Sequence, residues 1–188
     1  MTTNEVLWVS SRATGIVSIV LLTTVLLLGV FISGTRAGSA PTRATTVALH
    51  RWLGLGITTF LVLHIVTAIA ETFVDITWWA LILPFSSGFM PLWVGLGTLA
   101  LDLLVAVALT SLLRERLPDR LWRAVHLGAY ALWPLGIVHG IALGTGLDAL
   151  RWTTIACAVV GSGALTWRLL VPSPDAEKRR SISQGAWS

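Results

Sequence analysis

Five long apolar stretches dominate the hydrophobic pattern of this 188-residue chain. They cover residues 13–33, 49–70, 91–113, 121–143 and 152–171. Each reaches the roughly 20 residues that an α-helix needs to cross a hydrocarbon core of about 30 Å. The connections are too short to hold a further domain. The pattern therefore predicts an all-α integral membrane protein, with five transmembrane helices in one bundle domain over residues 1–171.

A shorter apolar run lies at residues 76–85, between the second and third stretches. It is too short to cross a bilayer, and Pro84 limits any helix there. Trp78 and Trp79 are side chains typical of the membrane–water interface. We therefore expect a short interfacial helix that lies on the outer face and roofs the bundle there.

Basic residues are distributed unevenly over the two sides of this topology. One side of the predicted topology holds only Arg12 and Arg151, and the other side holds the remaining eleven basic residues. Because basic residues favour the cytoplasm, we expect a cell-membrane protein with its N-terminus outside and a disordered cytoplasmic tail at residues 172–188. The net charge of +4 follows this topology and does not indicate a nucleic-acid partner. The predicted cytoplasmic side carries eleven of the thirteen basic residues, namely Arg36, Arg43, Arg51, Arg114, Arg116, Arg120, Arg123, Arg168, Lys178, Arg179 and Arg180.

All four histidines of the chain lie in the second and fourth stretches. His50 and His64 are fourteen residues apart, and His126 and His139 are thirteen apart. Both separations correspond to roughly 20 Å along a helix axis. The two stretches run in the same direction, so His50 and His126 share the cytoplasmic level and His64 and His139 the outer level. Histidines inside a membrane indicate a functional site, and two stacked pairs fit two b-type haems.

The helical phase of the second pair is less simple than that of the first. Fourteen residues leave two side chains about 40° apart, but thirteen leave them about 140° apart on an ideal helix. Pro134 lies between His126 and His139 and predicts a kink there. Whether that kink gives the two rings a common face stays open. Glycines in the same segment would let a macrocycle approach the backbone, and these are Gly128, Gly140 and Gly144.

Charged residues near the predicted haems are candidate contacts. Arg51 and Arg123 stand at cytoplasmic helix ends, where they could contact propionates of the inner haem or act only as topological charges. Arg12 could bind a propionate, attract an anionic acceptor, or simply reach the interface. Asp102 lies near the middle of the third stretch, where a carboxyl is neutral or paired.

Three roles are open for Asp102. It could orient an axial histidine, belong to a proton path, or form a hydrogen bond with a neighbour such as Thr23 or Thr24.

The chain resembles the ferric reductase-like transmembrane domain family, which includes ferric reductases, NADPH oxidases and the haem subunit of a periplasmic methionine sulfoxide reductase system. The resemblance rests on RATG at residues 12–15, on the two histidine spacings, and on ALTSLLRERLPDRLWRAVHLGAY before the second spacing. It implies that His50 and His126 bind the inner haem and that His64 and His139 bind the outer one. It also implies that Arg12 lies near the outer haem and the acceptor site.

The chain departs from the family pattern in one respect, and this departure affects the function that we expect. Ferric reductases and NADPH oxidases usually add a further N-terminal span and a cytoplasmic FAD and NAD(P)H dehydrogenase. We expect neither here, because only seventeen residues follow Val171 and they contain no glycine-rich nucleotide fingerprint. We therefore expect an oxidoreductase subunit that receives electrons from a separate flavoprotein, from bound FMN or FAD, or from quinol. A protein donor would dock at the basic loops Arg36–Arg43 and Arg114–Arg123.

The expected extracytoplasmic acceptor is ferric iron. A methionine sulfoxide reductase partner and dioxygen are the alternatives. A non-redox membrane subunit or a proton path is the alternative from another class.

Overall fold

A computed structural model describes residues 1–34, 40–144 and 148–170 of the chain. These residues form α-helices and short 3-10 helices, with no strand among them. The α-helices are α1 (Thr3–Gly34), α2 (Ala40–Ala70), α3 (Pro91–Leu112), α4 (Asp119–Leu127), α5 (Ala129–Leu143) and α6 (Asp148–Leu170). The 3-10 helices are Trp78–Leu81 and Arg114–Arg116. Since α4 and α5 form one span, five segments are long and apolar enough to cross a membrane, which confirms the predicted fold class.

The first two helices begin ten and nine residues before the apolar stretches that predicted them, which is about two and a half turns or more. The N–H of Glu5 donates to Thr2 Oγ1 (3.3 Å), and the N–H of Thr2 donates to Glu5 Oε2 (2.8 Å). This reciprocal capping arrangement starts α1 at Thr3, outside the apolar core. At 1.5 Å per residue, 32 residues span about 48 Å, so α1 is longer than the roughly 30 Å core.

The interruption in the fourth span lies at Gly128 rather than at Pro134. The N–H of Gly128 donates to the carbonyl of Val125 (2.8 Å), which is the tighter bonding of a 3-10 turn. A Cβ at Gly128 would lie 2.9 Å from that carbonyl oxygen, so the turn requires the small residue. Pro134 lies inside α5. The fourth span therefore has a helix interruption six residues before Pro134, and the kink expected at the proline itself stays a prediction.

Helix α1 is the centre of the bundle and packs against α2, α5 and α6. The buried core comprises Leu26, Val30, Trp133 and Ile137, with partly buried Cys157 packed against it. Trp133 Nε1 also donates a hydrogen bond to Thr23 Oγ1 (3.0 Å). Helix α3 packs on α5 at the other side of the bundle. This arrangement leaves α2 held mainly by α1, so that its other face is free to line a cavity.

The connection between α2 and α3 contains the expected short helix, but only as the single turn Trp78–Leu81. The rings of Trp78 and Trp79 stack 3.7 Å apart and are more than half exposed. Thr98 Oγ1 donates to the carbonyl of Ala80 (2.6 Å), which fastens this turn to α3. Phe85 follows Pro84 with a φ of 67°, a conformation that cannot continue a helix.

Candidate functional site

The structure brings the four histidines together as two pairs at two levels of the bundle. The ring centroids of His50, on α2, and His126, on α4, are 6.2 Å apart. Those of His64, on α2, and His139, on α5, are 6.3 Å apart. Because α4 ends between His126 and His139, the 140° phase of an ideal helix does not apply to them. Both rings therefore face α2.

The separation within each pair fits two axial ligands on one metal ion. A metal–imidazole bond is about 2.0 Å, and a ring nitrogen lies about 1.1 Å from its centroid, so the two centroids would be about 6.2 Å apart. Among the described residues, no group of three or more His, Cys, Asp or Glu side chains could hold a metal ion. Each pair supplies two ligands only, and a macrocycle that supplies the equatorial ligands completes such a set.

Three of the four rings are oriented by a backbone carbonyl on a neighbouring helix. A carbonyl oxygen can only accept, so each bonded Nδ1 carries the proton and leaves the Nε2 lone pair free for a metal. This is the usual outer-sphere arrangement of a metal-binding histidine. The bonds join Nδ1 of His64 to the Ser11 oxygen (2.7 Å), Nδ1 of His139 to the Trp93 oxygen (2.8 Å), and Nδ1 of His50 to the Val25 oxygen (3.1 Å).

His126 is held differently from the other three histidines. Its Nδ1 is buried without a hydrogen-bond partner within the described ranges, and its ring stacks on Trp122 with centroids 4.9 Å apart. The guanidinium of Arg114 lies 4.5 Å above the Trp122 ring and pairs with Asp119 (2.7 Å). Trp122 therefore connects the inner pair to the predicted cytoplasmic loop. Sequence reasoning missed it, although a tryptophan four residues before a helical histidine is a readable signal.

A largely apolar cavity of ≈ 290 Å³ adjoins the outer pair. His64 and His139 line it, and Ala80 and Leu81 of the short 3-10 turn close part of its outer side. The turn therefore borders the cavity, and its role as a roof on the outer face stays a prediction. The apolar lining limits access of water to the two rings.

Arg12 lines the same cavity, as the sequence reasoning expected of a residue near the outer site. Its Nη1 donates to the carbonyl of Leu143 (2.9 Å), and its guanidinium lies 4.2 Å above the ring of Trp8. Its Nε is buried, and no described residue accepts a hydrogen bond from it. Buried Glu71, which the sequence analysis did not single out, also lines the cavity.

Arg51 and Arg123, the residues expected at the propionates of an inner haem, are both exposed, and that role stays a prediction. Arg51 is exposed on α2. Arg123 is exposed and donates to the backbone oxygen of Asp119 (3.3 Å), whose carboxylate lies 3.8 Å away. Arg116, at the end of the 3-10 helix Arg114–Arg116, and Arg120, in the first turn of α4, are also exposed. Arg36, Lys178, Arg179, Arg180 and the tail at 172–188 lie outside the described residues.

Asp102 takes neither of the bonded roles considered for it. It is exposed on α3, on a stripe with Val105 and Leu109, and no described residue pairs with it. The histidine Nδ1 atoms bond to backbone carbonyls or to nothing described, so Asp102 does not orient them. The threonines proposed as its partners bond elsewhere, since Thr23 donates to Ile19 and Thr24 to Val20.

The sequence analysis did not identify the glycines that contact the histidine rings. It named Gly128, Gly140 and Gly144 for a different role, the approach of a macrocycle to the backbone, and that role stays a prediction. The glycines that touch the rings lie on α1 and α3. A pattern within one helix could not show which neighbour it packs against.

Five membrane-crossing segments around two stacked histidine pairs define a multi-pass membrane protein with paired ligand sites. The chain belongs to the family described as ferric reductase like transmembrane component, whose model matches residues 14–137. The match includes His50, His64 and His126, and it ends two residues before His139. Searches of curated proteins and of solved structures found no match. The predicted resemblance is thus confirmed, and the family points to transmembrane electron transfer and to haem.

Proposed function

We propose that this chain carries electrons across the membrane from a cytoplasmic donor to an extracytoplasmic acceptor, with ferric iron or a ferric chelate as its substrate. His50 and His126 would hold an inner b-type haem, and His64 and His139 an outer one. The single observation that supports this most strongly is the two-level pairing at 6.2 and 6.3 Å. Each haem, when bound, supplies one-electron redox chemistry in a bis-imidazole field.

The protein's own contribution at these levels is orientation and exclusion of water. The carbonyls of Ser11, Val25 and Trp93 hold the Nδ1 protons of three rings, so the Nε2 atoms stay available as ligands. The apolar cavity wall around the outer pair keeps the site dry.

Arg12 is the acceptor-site candidate on the outer side. A ferric chelate usually presents carboxylate or similar oxygen ligands, and a guanidinium binds such groups well. The buried and unpartnered Nε of Arg12 offers a donor that no described residue uses. This supports an anionic acceptor at the mouth of the outer cavity.

The donor side is assigned to the cytoplasm by the distribution of basic residues. Exposed Arg116 and Arg120 suit a negatively charged protein surface, such as that of a separate flavoprotein carrying FMN or FAD. A quinol donor would instead reach the inner pair from the bilayer.

The experiment that tests this function is a pyridine haemochrome assay on detergent-purified chain, with a dithionite-reduced spectrum. We expect two b haems per chain, and about one after His50→Ala or His64→Ala because each variant removes one axial ligand. The matched controls Leu49→Ala and Leu63→Ala, whose side chains are 48% and 47% exposed, should retain two. A chain without haem, expressed with ample haem, would contradict the proposal and favour a non-redox subunit. One haem in the unmodified chain would contradict the two-level relay.

A further inference from the structure

Three histidine rings lie against a glycine of a neighbouring helix. A Cβ at Gly97 would be 2.5 Å from His139 Nδ1, and a Cβ at Gly15 would be 2.9 Å from His64 Nδ1. A Cβ at Gly29 would be 3.4 Å from His50 Cε1. The first two separations are too short for a real side chain, whereas the third requires a shift of only a few tenths of an ångström. The rings therefore occupy the space that a side chain would fill.

Each of these glycines follows, by four residues, the residue whose carbonyl accepts the ring Nδ1–H. In an α-helix the carbonyl of residue i bonds to the N–H of residue i+4, so carbonyl and glycine lie on the same patch of helix surface. The three pairs are Ser11 with Gly15, Val25 with Gly29, and Trp93 with Gly97. At Gly15 and Gly97 the ring can reach the carbonyl oxygen only because the adjacent position has no side chain, whereas at Gly29 a side chain would crowd the ring only slightly.

The arrangement repeats along α1 with the spacing of the ligands themselves. Gly15 and Gly29 are fourteen residues apart, as are His64 and His50 on α2. Other glycines of the bundle do not contact a histidine ring. A Cβ at Gly54 or Gly163 would meet nothing within 4 Å. A Cβ at Gly140 would meet Ile19 rather than a histidine. The close approach to a histidine ring is thus specific to Gly15, Gly29 and Gly97 among the glycines compared.

We propose that Gly15, Gly29 and Gly97, each with the carbonyl four residues before it, are positioning residues that set the tautomer and orientation of three haem ligands. The proposal rests on the proposed function and extends it to residues that touch no haem iron. A side chain at Gly15 or Gly97 would push the ring away from its carbonyl and turn Nε2 out of line, and the outer haem would be lost. A side chain at Gly29 would only lengthen the His50 bond.

The test compares Gly→Ala variants by haem content, reduced spectrum and potentiometric titration. In Gly15→Ala and Gly97→Ala the haem content should fall from two per chain to about one, and the spectrum of the inner haem should be retained. Gly29→Ala should keep both haems and shift the inner haem to a higher potential, because a weaker Nδ1–H bond makes the imidazole a poorer electron donor. Gly54→Ala and Gly163→Ala should keep both haems unchanged.

Two further variants separate positioning from helix packing. Gly161→Ala crowds Trp133 of the buried core and should lower thermal stability without selective loss of one haem. In a His64→Ala background the ring that meets position 15 is absent, so adding Gly15→Ala should leave the remaining inner haem unchanged. Two haems with unaltered spectra in both Gly15→Ala and Gly97→Ala would overturn the inference. So would loss of the inner haem in the His64→Ala, Gly15→Ala double variant. Absence of haem from the unmodified chain would instead contradict the proposed function.

Discussion

A single aromatic side chain distinguishes the inner ligand pair from the outer one. His126 has no carbonyl acceptor among the residues that the structure describes, and its ring is held by the stack on Trp122. Aromatic pairs of this kind contribute about 0.5–1.5 kcal/mol beyond the area that they bury. Trp122 therefore helps to hold the orientation of the His126 ring, as a hydrogen bond does for the other three rings.

We expect Trp122→Leu to weaken binding of the inner haem about two- to tenfold, which corresponds to loss of the stacking energy. Trp122→Phe keeps an aromatic face and should retain most of the binding. The measurement is haem titration into apoprotein, with the outer haem as internal reference. Trp52→Leu, which removes an exposed tryptophan (71%) from α2, serves as the control. Equal inner-haem affinity in Trp122→Leu and Trp52→Leu would contradict a role for the stack.

At the scale of whole helices, hydropathy predicted the membrane-crossing segments but not their ends. The Thr2–Glu5 capping pair extends α1 beyond its apolar stretch, and this signal was readable in the sequence. The break at Gly128 was not predicted, because Pro134 is the stronger signal for a helix interruption. The depths of the four histidines followed from their spacing alone. Their carbonyl acceptors did not, because those lie on other helices, up to 53 residues away in sequence.

Asp102 gives a prediction for helix α3. It lies near the centre of a 22-residue helix, on an exposed stripe, and an ionisable residue at the bilayer centre costs about 2.5–3.5 kcal/mol on insertion scales. We therefore expect Asp102→Leu to retain two haems and to raise the thermal midpoint of the purified chain. Leu109→Asp, which adds a carboxyl to the same stripe, should lower both yield and midpoint. Loss of either haem in Asp102→Leu would show that the carboxyl acts on a ligand after all.

The charge asymmetry of the whole molecule gives the last prediction, which concerns the docking of a protein donor. Arg116 and Arg120 are exposed in the loop that leads, through Arg114 and Trp122, to His126. Reversing both charges leaves nine of the eleven basic residues on the predicted cytoplasmic side. Acidic residues contribute little to orientation, so the topology should be preserved.

With the native donor, we expect Arg116→Glu/Arg120→Glu to slow haem reduction by roughly tenfold or more at low ionic strength, because attraction between the two surfaces is replaced by repulsion. The difference should shrink as salt is added, since screening acts on exposed charges. Reduction by dithionite, which needs no docking surface, should be unchanged. Arg151→Glu, on the predicted outer side, is the matched control and should behave like the unmodified chain in both assays. An unchanged rate with the native donor would contradict docking at this loop and favour a donor that approaches from the bilayer, as a quinol does.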